Sequence, residues 1–384
     1  MKFASKVALT TTLTCAWLAG PAVAEEEVIE ESAGSQYHDL KVTRIIGDLE
    51  HPWAVAFLPD ESMLVTERPG RLHWLRNGEP VELHNLPDDL HVENQGGLLD
   101  VAVHPDYASN GWIYLTYSKG DEDGTATALI RAKIDDETMR LTDVEELFTQ
   151  DRKSDPGRHY GSRILFLDDG TLLLSIGDRG VEPERAQDLE DHAGKMLRLT
   201  DDGNVPDDNP FRDRDDVHPE IYSYGHRNIQ GMDIHPVTRE IWAADHGPRG
   251  GDRLDRIEPG ENYGWPVSTP GRDYGTEAQF GDSARERPDT AEPIREFLPT
   301  LAPSGLAIVN GGQFGNWENN ILIGGLYVKQ IRRVVLEDDE VVHEEEVLRD
   351  TIGRVRDVRI GPDNNIYAVS DESDGGLYRI EPAD

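Results

Sequence analysis

One short pattern returns six times along this chain: a run of alternating apolar residues, a turn rich in Asp, Pro, Asn or Gly, and a second apolar run closing on polar residues. The copies are AVAFLPDESMLVTE from Ala54, DVAVHPDYASNGWIYLTYS from Asp100, RILFLDDGTLLLSIGD from Arg163, MDIHPVTREIWAADHG from Met232, LAIVNGGQFGNWENNILIGGL from Leu306 and DVRIGPDNNIYAVSDE from Asp357. Period-two alternation bounded by turn residues is a strand signal, so each copy reads as a β-hairpin. The hairpins are spaced so that each leaves room for two further strands. Six such units predict an all-β fold, a six-bladed β-propeller of four-stranded antiparallel blades. A strand over Leu40 to Ile46 has no partner nearby in sequence. Pairing it with Gly376 to Ile380 closes the ring between the N- and C-terminal strands and leaves no open sheet edge.

That geometry predicts where polar residues converge. If the first strand of each hairpin lines the axis, all six start at one face and each second strand returns to it. Gln95, His159, Arg227, Asn228, Arg354 and Arg356 stand just before or at first strands, and Asp178, His246, Gly247 and Pro248 just after second strands. The expected result is a polar funnel carrying His and Arg.

Residues 1–24 carry Lys2 and Lys6, an apolar stretch around Val7 to Leu18, and the small-residue exit Ala22, Val23, Ala24 ahead of three glutamates. This is the layout of a secretory signal peptide cleaved after Ala24, and its apolar part is too short to span a bilayer. The expectation is a periplasmic or secreted protein with no membrane insertion. Cys15, the only cysteine, lies inside that segment, so the mature chain has no disulfide and no thiolate metal site. Glu25 to Gln36 reads as an acidic, disordered leader, too poor in apolar residues to offset ordering entropy. Residues 37–384 then form a single propeller domain. Two long excursions, Val181 to Arg227 and Asn262 to Thr300, are expected to carry outer strands and surface loops. The formal net charge of −37 repels nucleic acid and anionic membranes and is otherwise that of a solvated surface.

Singly, each candidate has an ordinary structural explanation: a strand-end histidine satisfied by a carbonyl, a turn-capping aspartate, arginines paired with abundant carboxylates. Together at a funnel mouth they have chemistry. His159 can act as a general base whose tautomer Asp178 holds from behind. Arg227 in YGHRNIQG and the alternating Arg354 and Arg356 in GRVRDVRIGPD offer donors to an anion or a quinone oxygen. In DHGPRGGD, from Asp245, Gly and Pro leave backbone carbonyls as the polar offering, which suits a hard cation such as calcium.

In order, ENQGGLLDVAVHPDY, HYGSRILF with SIGDRG, AQDLEDHAGKMLRL, YGHRNIQG, DHGPRGGD, GENYGWP, LAPSG and GRVRDVRIGPD resemble the soluble pyrroloquinoline-quinone (PQQ)-dependent aldose sugar dehydrogenases, the glucose/sorbosone dehydrogenase family, from about Val42 to Ile380. The resemblance implies a propeller that binds PQQ and Ca2+ in its funnel, oxidises an aldose at the anomeric carbon to a lactone and passes electrons to an external acceptor. It implies His159 as the base with Asp178 behind it, and Arg227 polarising the quinone oxygen that gathers charge. Gln95, Asn228, Thr300, Arg354 and Arg356 are implied to contact the cofactor, and the carbonyls of Gly247 and Pro248 to ligate its calcium. The chain departs from the pattern at three places. Tyr327 stands where some relatives have a lysine, and Lys329 would take that cofactor contact if the strand is regular. Arg253 stands where relatives have a glutamate, beside a second calcium expected near Tyr263. Leu298, next to Phe297, replaces an aromatic that could wall the sugar site.

Because propellers host many functions, two other readings compete. A calcium-dependent lactonase requires several Asp, Glu or Asn side chains at the inner strand starts, where this chain has Gln, His and Arg. A non-catalytic periplasmic binding propeller requires exposed apolar patches and no quinone-dependent activity.

Overall fold

The computed structural model describes residues 26–121, 123–155, 157–281, 287–338 and 340–383. The expected signal peptide lies outside them. Each of the six repeats is the inner half of one antiparallel sheet. The first blade comprises Pro52–Phe57, Met63–Glu67, Arg71–Arg76 and Glu79–Leu83, and the second Leu98–Val103, Ile113–Asp121, Gly124–Asp135 and Arg140–Thr149. The third holds Ile164–Phe166, Leu172–Ile176, Lys195–Leu199 and Ile221–Tyr224, and the fourth Ile229–Ile234, Ile241–Asp245, Asp252–Ile257 and Arg295–Phe297. The fifth holds Pro303–Ile308, Ile321–Gly325, Gln330–Glu337 and Glu340–Val347. The first strand of every blade touches the first strand of the next, and the sixth touches the first, so these strands ring the axis. The molecule is a six-bladed propeller.

The sixth blade is the closure. Val355–Ile360, Ile366–Ser370 and Gly375–Pro382 are joined by Asp39–Leu49, with Val42 opposite Ile380 and Arg44 opposite Tyr378. A fifth strand, Glu27–Gly34, lies outside that, which corrects the expectation of a disordered leader. Composition alone gave this segment too little apolar surface to order itself. Here it adds to an edge that already exists, with Glu27 paired to Arg44, Glu26 to Arg379, and Ile29 and Ala33 packed on the core.

An apolar cluster fills each seam between neighbouring blades. Because each blade is covered on both faces, inner strands such as Leu172–Ile176 are buried at every position. Charge is also buried at the axis. The Arg163 guanidinium lies 3.2 Å from Asp100 and 3.1 Å from Asp357, donates to the carbonyls of Gln230 and Arg356 at 2.6 and 3.0 Å, and stacks over Trp53. Arg359 bonds to the same two aspartates, so four blades are tied together beneath the funnel. No helix among the described residues is long and apolar enough to cross a membrane.

Candidate functional site

At the rim where second strands return, a cavity of 1320 Å³ opens, lined by residues of all six blades. Seven arginines and four acidic side chains line it. In a chain of net charge −37, this funnel is locally cationic.

His159 sits on the turn leading into the first strand of the third blade, with φ of +52°. Two side chains hold that turn: Gln95 Oε1 accepts from His159 N at 2.9 Å, and Asn228 Oδ1 accepts from Gly161 N at 3.0 Å. The turn lies against Gly177, where a Cβ would stand 2.1 Å from the His159 carbonyl oxygen, so only glycine fits. His159 Nδ1 is 2.7 Å from Asp178 Oδ1, which also accepts from Gly180 N at 2.8 Å, while Asp178 Oδ2 accepts from Trp265 Nε1 at 2.8 Å. Burial alone would raise the Asp178 pKa. The charge and hydrogen bond of His159, with Arg227, outweigh it and hold the carboxyl below its usual range. An ionised Asp178 only accepts, so Nδ1 carries the histidine proton and Nε2 keeps its lone pair. Burial and the Arg227 guanidinium push the His159 pKa down, against the pull of Asp178, so the ring is neutral at neutral pH.

Arg227 reaches across the funnel. Its Nη2 lies 3.4 Å from His159 Nε2, and its Nη1 donates to the carbonyls of His246 and Gly247 at 2.7 and 2.9 Å. Buried Asp245 fixes this corner by accepting from the backbone N–H groups of Arg227 and Asn228, and burial pushes its pKa up to about 6. Asp252 staples the Gly247 turn to the fifth blade: it accepts from Gly247 N at 2.9 Å, Thr300 Oγ1 at 2.5 Å and Leu301 N at 2.8 Å. Across the funnel, Arg356 bonds to Gln230 Oε1 at 2.8 Å and to Asp371, while its buried Nε has no partner among the described residues. Arg354 lies 3.7 Å and Arg68 4.0 Å from the same Asp371. Burial would raise the Asp371 pKa, but Arg356, His51 and Arg68 hold it well below the usual carboxylate range.

The structure brings together His159, Asp178, Arg227, Gln95, Asn228, Thr300, Arg354, Arg356 and Pro248 around this one cavity, with Gly247 directly behind Arg227. Two residues expected here stand elsewhere. Residues 326–329 form a turn rather than continuing the strand, so exposed Tyr327 lines the funnel and Lys329 does not. The carbonyl of Tyr263 accepts from Arg253, whose guanidinium also bonds to Asp255 at 2.7 Å and to the Ala291 carbonyl at 3.2 Å. A fixed cation already fills the point where these acceptors converge, so Tyr263 is not offered to a metal. Sequence reasoning missed Arg68 and Asp371, although both directly follow second strands, the position that singled out Asp178. It expected Asn262 to Thr300 to carry an outer strand and surface loops; the outer strand is Arg295–Phe297, but Trp265, Tyr274, Phe280 and Leu298 from the same excursion wall the cavity mouth.

The glucose/sorbosone dehydrogenase family model matches residues 49–379. The aldose sugar dehydrogenase YliI of Escherichia coli is 37% identical over 374 residues, spanning 96% of both chains. Among solved structures, the soluble aldose sugar dehydrogenase of Escherichia coli in its apo-form superposes with a TM-score of 0.84 at 38% identity, covering 89% of this chain and 99% of the other. The PQQ-bound aldose sugar dehydrogenase of Streptomyces coelicolor gives a TM-score of 0.72 at 25% identity, covering 89% and 98%. Likeness of this extent spans the propeller from its first blade to its closing strands, and the chain belongs to the glucose/sorbosone dehydrogenases, a family of sugar-oxidising enzymes.

Proposed function

We propose that the funnel binds PQQ with Ca2+ and oxidises an aldose at its anomeric carbon to the lactone, with electrons leaving to an external acceptor. The observation that carries this reading is the placement of His159, with Nδ1 on Asp178 and Nε2 beside a guanidinium in a cavity lined by seven arginines.

The residues present fit the cofactor. A triply acidic ring system needs an excess of donors, and Arg68, Arg227, Arg354 and Arg356 supply it; the four acids of the lining are already engaged, Asp178 with His159, Asp371 with Arg356, Glu182 with Arg152 and Asp273 with Thr276. The Gly247 carbonyl accepts from Arg227 Nη1 at 2.9 Å, so it would ligate calcium through its second lone pair or once that guanidinium turns to the bound anion. The Pro248 carbonyl accepts from Gly251 N at 2.9 Å and has a second lone pair. Two carbonyls do not complete a six- to eight-coordinate calcium, so the bound anion and water would supply the rest. When bound, the quinone supplies the hydride acceptor and the cation a Lewis acid beside it.

His159 Nε2 takes the anomeric hydroxyl proton, and Asp178 stabilises the imidazolium that results. Arg227 donates to the oxygen on which negative charge gathers. Gln95 and Asn228 keep the His159 turn in place. Trp265, Phe280, Tyr274 and Tyr327 offer apolar faces to the C–H side of a sugar and exclude water. The lactonase reading lacks its carboxylates: none of the four acids in the lining stands at an inner strand start, and Asp178 and Asp371 are committed to His159 and Arg356. We also read residues 1–24 as an export signal, which predicts a mature protein beginning at Glu25 by N-terminal sequencing.

The test is reconstitution of purified apoprotein with PQQ and Ca2+, following reduction of an artificial acceptor with a panel of aldoses. Activity is expected to require both additions. His159→Ala should retain the bound quinone absorbance and lose about 10²- to 10⁴-fold in kcat. Unchanged turnover in that variant would remove the base assignment, and a protein indifferent to PQQ would remove the whole reading.

A further inference from the structure

The stretch AQDLEDHAGKMLRL supplies no residue to the funnel. Its histidine goes elsewhere. His192 stacks on His218 with ring centroids 3.9 Å apart, and both turn a nitrogen to one carboxylate: His192 Nδ1 lies 2.7 Å from Asp151 Oδ1, and His218 Nε2 lies 3.2 Å from Asp151 Oδ2. The three ligand atoms lie within 4.8 Å of one another. On the far side of His192, Nε2 is 2.7 Å from Glu220 Oε1.

We propose that Asp151, His192 and His218 form a site for a divalent transition metal of the zinc class, separate from the funnel. The donor chemistry selects the metal. Imidazole nitrogens suit zinc and its neighbours, whereas calcium and magnesium prefer all-oxygen sets. Two neutral imidazoles with Asp151 and Glu220 carry two negative charges, which a divalent ion balances. The second layer is also built: Glu220 accepts from Nε2–H of His192, which fixes the tautomer that leaves the lone pair on Nδ1, where the Asp151 N–H now donates at 3.3 Å and a metal would take its place. A tetrahedral zinc with ligands at about 2.1 Å needs donor atoms about 3.4 Å apart, so the contacts now at 2.7 and 3.2 Å must open slightly while the three ligand atoms, all within 4.8 Å of one another, settle around the ion. The partners that must move are the accessible ones, with side-chain exposures of 38% for Asp151 and 29% for His218, while His192 at 5% is held by packing. The Glu190 carbonyl, 3.1 Å from His218 Nε2, or water is available for the remaining position.

The site would act as a clasp. Asp151 follows the outermost strand of the second blade, and His192 and His218 precede the two outer strands of the third. A metal there would fasten adjacent blades at their outer edge, as the central ion pairs fasten them at the axis.

The experiment uses the untagged full chain, stripped by chelator and held in excess Ca2+ to saturate any oxygen site. Calorimetric titration with ZnCl2 should give one ion per chain, with a rise in Tm. Asp151→Asn and His218→Ala should each weaken binding at least tenfold, while the exposed control His84→Ala should leave it unchanged. Co2+ added to the wild type should give the visible absorption of a low-symmetry nitrogen and oxygen site. No saturable zinc binding, binding equally strong in both variants, or a cobalt spectrum no different from the aqueous ion would overturn the proposal. The cluster would then be held by protons alone.

Discussion

The two oxygens of Asp178 have different duties, and an amide cannot perform both. Oδ1 accepts from His159 and Gly180, and Oδ2 accepts from Trp265. In Asp178→Asn, an amide that keeps its oxygen toward His159 turns its NH2 against the indole N–H. Flipped, it donates to Nδ1 and drives the histidine proton onto Nε2, where the substrate's proton must go. The variant is expected to lose about 10²- to 10⁴-fold in kcat with quinone binding retained. Asp178 also raises the His159 pKa against burial and Arg227. Its removal should therefore lower that pKa further, and the acid limb of the residual pH–rate profile should move to lower pH. A variant with wild-type kcat, or an acid limb moved upward, would show that Asp178 does not hold the base. At this scale the sequence was most informative where position and residue type agreed. His159, Arg227 and Arg356 are polar residues at inner strand starts. Arg68 and Asp371 obey the same positional rule but sit in motifs with no chemical signature of their own, ERPG and SDES.

Strand continuity separates the successes from the failures among elements. The six inner hairpins were legible because apolar runs are cut by turn residues at the same place in every copy; the pattern predicts alternating strands, yet both faces of each blade are covered and strands such as Leu172–Ile176 are buried at every position. Lys329 was placed by assuming that Ile321–Gly325 runs on; it ends at a turn, and the parity argument ends with it. Glu27–Gly34 was unreadable for the opposite reason. Its order comes from a partner about ten residues away, and from Arg44 and Arg379, which neutralise acidic residues that look repulsive in isolation. Exposed ion pairs of this kind contribute little each, so most of the gain should come from pairing and from Ile29 and Ala33. A mature chain beginning at Ser35 is expected to lose about 1–2 kcal/mol, read as a lower Tm, and to associate more readily, because Asp39–Leu49 becomes an open edge. Turnover should be unchanged, since no residue of the strand lines the funnel. An unaltered Tm and a monodisperse sample would mean that the fifth strand is dispensable.

Two populations of charge in the whole molecule should answer salt with opposite sign. Seventy-five acidic residues against 38 basic ones give a field that opposes compaction, because most of the acids share one surface without a cation for each. Composition reports only that total. It conceals the funnel, where ring closure gathers seven arginines from distant stretches of sequence around one opening. Raising NaCl from about 20 mM to about 500 mM shortens the screening length from roughly 20 Å to roughly 4 Å. Surface repulsion is relieved, so the Tm of the apoprotein should rise. The same ions screen the guanidinium groups of Arg68, Arg227, Arg354 and Arg356, so at fixed Ca2+ the affinity for PQQ should fall over that range. Opposed trends in the two measurements would locate the protein's destabilising charge on its rim and its anion-binding charge at its axis. A quinone affinity indifferent to salt would mean that the arginines are neutralised by their own carboxylates, as Asp371 already does for Arg356, and that something other than charge holds the cofactor.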